Sequence, residues 1–267
     1  MKSLNRTKMF VLVSLAIAAC LAVFRGAVLA KFIEPETGFY IVDTNIGTWF
    51  GVATVLAILF VVAAAYFTKK EQAPEGLNSR SAAVVFSSSL CAYLFFSVFA
   101  YGMYLVFTSR MTSPLFVVQM LLCIPCGINH LTICSKEVRG QSTAYAYLSM
   151  STAVFFALRL IEVFMDVSKQ INTSQRSLEI LMLCSMMMFF LAESDYVVNK
   201  KNIQKKSAVR YFVFGLCVII FTAATVVPYL VVSEFVWMAG RGLVIMDVLE
   251  CCIMIFAASR LLTSQEA

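Results

Sequence analysis

Arg159 and Glu162 lie inside the apolar run Thr143 to Met165, and Asp166 follows just past its end. At about 100° per residue the three fall within roughly 60° of one another on a helix, so they form a polar stripe on an otherwise apolar cylinder. An ionisable group in the bilayer interior costs about 2.5 to 3.5 kcal/mol on insertion scales, so such a stripe turns toward protein partners or a water-filled cavity. The chemistry on offer is that of a guanidinium beside carboxylates, which binds polar solutes or locks helices together.

Other charges sit in comparable runs. Arg25 interrupts Met9 to Leu29, Glu179 opens Ser177 to Val198, and Asp247 and Glu250 share a face at i, i+3 in Leu243 to Leu262. Arg25 and Arg159 each fall sixteen residues into their runs. At ~1.5 Å per residue that is roughly 24 Å from the starting edge, in the far third of a bilayer. Arg25, Arg159, Glu162, Glu179, Asp247 and Glu250 are therefore expected at similar depth. Two readings stay open: buried ion pairs that hold the bundle, or a wet pocket that spares these groups desolvation.

A second stripe comprises Cys123, Cys126, His130 and Cys134, spaced three, four and four along Pro114 to Cys134. Thiolates and an imidazole on one face suit Cu(I) or Zn(II), and C-x-x-C also suits a redox pair. Against both, all nine cysteines fall in apolar runs, where thiols pack as small hydrophobes. No outer-loop cysteine pair is present to relay electrons. The expectation is packing, with no metal, cofactor or disulfide framework. Met182, Met186, Met187 and Met188 are likewise read as packing. Glu193 and Asp195, about 160° apart around a helix, are not expected to share a site.

The elements that position these residues are apolar helices. The chain is 61% hydrophobic and 13% charged, too apolar for a soluble domain. Eight spans are expected near 9–29, 47–67, 81–107, 114–134, 143–165, 177–198, 208–232 and 243–262, forming one all-α integral membrane domain of 267 residues. Ile17 to Cys20 resembles a lipobox, but the chain stays apolar beyond Cys20, which favours an uncleaved helix. Fourteen loop-side Lys and Arg lie at one face against five at the other, which places both termini in the cytoplasm. The net charge of +6 thus reflects membrane orientation and not a nucleic-acid surface. The lysines from Lys200 to Lys206 fit that pattern, with anionic lipid headgroups as a further partner. H-E-x-x-H, G-x-S-x-G and phosphate-cradling glycine loops are absent, and one histidine excludes a two-histidine site.

Arg25 followed by Phe32-Ile33-Glu34-Pro35-Glu36-Thr37-Gly38-Phe39-Tyr40 resembles an uncharacterised bacterial family of multi-pass membrane proteins. Arg159, Ser177-Leu178-Glu179 and Glu193 look similar too. The resemblance implies an eight-helix-like membrane protein and carries no established activity. The function expected from the residues is a small-solute permease, or a transporter's membrane subunit, in a bacterial cytoplasmic membrane, with an outward polar pocket. The alternative is a membrane sensor or assembly component whose charges are structural. The partners expected are the lipid bilayer and either a small solute or a membrane or cytoplasmic protein.

Overall fold

The computed structural model describes residues 2–33, 45–70, 81–108, 113–134, 143–165, 174–198, 205–232 and 244–263. Asp166, the Glu34 to Tyr40 run, Lys200 and Lys201 lie outside them, as do the side chains of most orienting Lys and Arg. Every element among the described residues is a helix: α1 Lys2–Phe32, α2 Ile46–Lys70, α3 Ala82–Phe107, α4 Pro114–Cys134, α5 Thr143–Met165, α6 Ser174–Val198, α7 Lys205–Thr225, α8 Val227–Val231 and α9 Val244–Thr263.

Local chemistry sets several boundaries. Ser81 is extended and caps α3 by accepting the Ala83 N–H at 3.3 Å. Pro114 starts α4, where its missing N–H costs nothing. Pro228 cannot donate within a continuing helix, and the seventh expected span is interrupted at Val226 between α7 and α8. Pro125, by contrast, lies inside α4, which continues through it. Hydroxyls along the helices are met by their own turns, as Ser14 by Phe10 O, Thr68 by Ala64 O and Ser185 by Leu181 O. That satisfaction spares buried hydroxyls an unmet donor in an apolar interior.

Among the described residues seven helices are long and apolar enough to cross a membrane: α1 to α6 and α7 continued through α8. The chain is therefore a multi-pass membrane protein in contact with lipid. α9 has 20 residues but carries Asp247, Glu250 and Arg260. α3, α4, α5, α6, α7 and α9 pack in a ring, each on the next, and α9 closes it against α3. α1 packs on α7 and α8, and α2 on α7 and α1. In the α7 span 72% of the most apolar stretch is buried, against 22% in α2. α7 is thus a hub, and α2 presents Val55, Leu56, Leu59 and Val62 outward.

Side-chain contacts give the helix directions. Ser194 to Ala146 O and Arg176 to Val163 O make α5 and α6 antiparallel. Gly102 against Met120 and Ser88 to His130 O do the same for α3 and α4. Arg260 on Glu193 and Phe256 on Phe190, with Glu250 and Glu179 both near Arg159, set α9 parallel to α6. The ring interior is filled by aromatic side chains. Phe95, Phe155, Phe156, Phe189, Phe190 and Phe256 are all buried and meet pairwise at centroid separations of 5.2 to 6.5 Å.

Candidate functional site

Above and below this aromatic layer the ring carries two groups of ionisable side chains. The first is at the C-terminal end of α5. Arg159 Nη1 donates to Glu162 Oε2 at 2.7 Å, one turn along the same helix. Glu250 of α9 and Glu179 of α6 lie within electrostatic reach of that guanidinium. The expected meeting of α5, α6 and α9 charges is therefore present in the geometry. Glu179, Asp247 and Glu250 are buried, whereas the Glu162 side chain is 35% exposed and that of Arg159 16%. The group thus runs from a half-open rim inward.

Arg25 approaches the same end from α1. It is fully buried, donates from Nη2 to Gln175 Oε1 at 3.4 Å and sits 5.1 Å from the Phe50 ring centroid. Gln175 precedes Glu179 by one helical turn, so Arg25 joins the layer on the outer side of the ring. Arg176 immediately precedes the expected span 177–198. It is buried, and its Nη2 donates to the carbonyls of Val163 at 2.7 Å and Phe164 at 3.0 Å. A guanidinium there satisfies orphan carbonyls and meets the negative end of the α5 dipole.

The second group, at the opposite end, was not expected. Arg260 Nη2 lies 3.0 Å from Glu193 Oε1, with side-chain exposures of 8% and 0%. Tyr145 donates to the same oxygen at 3.3 Å, and Ser149 to Glu193 Oε2 at 3.4 Å and to Phe190 O at 3.1 Å. Arg260 also reaches Tyr145 Oη at 3.4 Å and lies 5.7 Å from the Phe256 centroid. α5, α6 and α9 are tied here by a desolvated, hydrogen-bonded ion pair. Asp195 points elsewhere and accepts from Ser207 of α7 at 2.6 Å, in keeping with its expected separation from Glu193.

The cysteine stripe does not gather. His130 stacks on Phe95 and meets Phe190 and Phe256 edge on, with Nδ1 3.4 Å from Ser88 Oγ. Cys123 turns to Gln119 O, Cys126 to Ser151 and Cys134 to Ser89 and Val85 O. Among the described residues no three His, Cys, Asp or Glu side chains form a metal-holding group.

What the two ends can do differs. The Glu193 end is a buried ion pair hydrogen-bonded within the chain and suits a lock. The Arg159 end combines a cation, several carboxylates and a half-open rim, which suits recognition of a polar molecule. Comparison with protein-family models, curated proteins and solved structures finds no significant match for this chain.

Proposed function

We propose that this protein is a small-solute permease, or the membrane subunit of a transporter, in a bacterial cytoplasmic membrane. Its outward-facing pocket is the Arg159 end of the helical ring. The observation that carries this reading is the grading of exposure, from a half-open Glu162 at the rim to buried Glu179 and Glu250 within reach of Arg159. Packing alone gives no reason to collect that many like charges at a partly open site. The reading includes eight crossings with both termini cytoplasmic. In its support, Tyr145 to Arg159 on α5 and Glu179 to Glu193 on α6 are fourteen residues, and Asp247 to Arg260 on α9 thirteen, all ~20 Å along a helix axis.

The structural alternative, a sensor or assembly component, draws on one specific observation: Arg260 and Glu193 fill the other end with a buried ion pair beneath a closed aromatic layer. In a permease these two features are the inner closure of an outward-facing state. Cysteines placed at Glu162 and Asp247 separate the readings. Both are expected to react with a membrane-impermeant thiol reagent applied from outside intact cells. Absence of reaction at both positions would leave only the structural role.

A further inference from the structure

Gln119 of α4 is fully buried, and neither its Nε2 nor its Oε1 has a hydrogen-bond partner. Arg159 Nε is buried and without a partner in the same way, because the guanidinium reaches Glu162 through Nη1. Helix register puts the two opposite each other. Cys126 Sγ of α4 lies 4.0 Å from Ser151 Oγ of α5, beside Thr152, and Asn129 Nδ2 donates to Thr152 Oγ1 at 3.4 Å. Seven residues return a helix to within about 20° of the same direction, so one heptad from a facing pair on antiparallel helices is another facing pair. Seven back from Cys126 is Gln119, and seven on from Thr152 is Arg159.

A buried carboxamide and a guanidinium N–H that face each other without partners are costly in an apolar interior unless a third molecule meets them. Gln119 Nε2 and Arg159 Nε supply N–H donors, the set that fits a carboxylate. Glu179 and Glu250, in reach of Arg159, supply the complement for an ammonium. We propose that Gln119 is a binding residue of the Arg159 site and that the site takes a small zwitterion of the amino-acid type, its carboxylate on Arg159 and Gln119 and its ammonium on the glutamates. This rests on the permease reading and deepens it.

The test uses the full chain in membranes, with cysteine at position 119 or 162 and modification by a small impermeant thiosulfonate read by mass spectrometry at that residue, so the native cysteines stay. Both positions are expected to react, and millimolar concentrations of at least one L-amino acid are expected to slow reaction at 162, where Gln119 is intact. The matching amine without a carboxylate and the matching acid without an ammonium are not. Reaction at 162 but not at 119 overturns the role of Gln119 and leaves the permease reading standing. Reaction at neither ends that reading itself. Protection by amines or acids alone, or by nothing, overturns the zwitterion. Should the cysteine variant fail to fold, thermal shift of the unsubstituted protein with the same compounds carries the test. There Gln119→Leu is expected to weaken binding about tenfold, the loss for one hydrogen bond to a charged group, and unchanged binding in that variant refutes the assignment.

Discussion

Arg260 and Glu193 illustrate what a single residue's neighbours decide. Arg260 and Glu193 sit in separate apolar runs of the sequence. Their pairing joins positions 67 apart on different helices, and no local pattern encodes it. Arg260→Ala orphans a fully buried carboxylate, so the variant is expected to lose about 3 to 5 kcal/mol of stability. Glu193→Leu combined with Arg260→Met is expected to recover most of that, measured by denaturation in detergent. Equal loss in single and double variants would show that the pair is not the source. The cysteines are the opposite case, since packing is expected of them from residue chemistry alone. Replacing Cys123, Cys126 and Cys134 together with Ala or Ser is expected to leave expression within about a factor of three. Stoichiometric metal in the purified protein that disappears in the triple variant would count against packing.

At the scale of elements, the apolar runs made the helices and their membrane character legible, because run length and hydropathy are properties of contiguous sequence. Breaks were harder. Pro125 and Pro228 look alike in sequence, yet only Pro228 interrupts a span, where α7 gives way to α8. Close helix contacts were not legible either, because a glycine's partner lies on another helix. A Cβ on Gly127 would stand 2.7 Å from the Phe96 ring, whereas one on Gly26 would meet nothing within 4 Å. Gly127→Ala is therefore expected to destabilise by about 1 to 3 kcal/mol through overpacking of α3 on α4. Gly26→Ala is expected to be neutral or stabilising by up to about 1 kcal/mol. Similar melting temperatures for the two variants would contradict the α3–α4 packing described above.

For the whole molecule, the depth argument anticipated that α5, α6 and α9 would bring charges to one end, because helical rise converts sequence position into depth. It could not anticipate which neighbours share a wall, so Gln119 and the entire Glu193 end went unread. Eight crossings with cytoplasmic termini predict that a periplasm-active reporter works after Thr37, Ser113, Gln170 and Glu234 and fails after Glu71, Gly140 and Gln204. Reversal at two loops would refute that topology. It would also place the Arg159 end on the wrong side for an outward pocket.

The central claim is that the Arg159 end is a wet recognition site and not a packing device, and a double-mutant cycle on Arg159 and Glu162 tests it most directly. If water and solute already solvate these charges, Arg159→Ala and Glu162→Ala should each cost at most about 1 kcal/mol, as for an exposed pair, with no rescue in the double variant. A loss of about 3 to 5 kcal/mol in Arg159→Ala, largely restored when both positions are made apolar, would contradict the claim and identify the layer as structural.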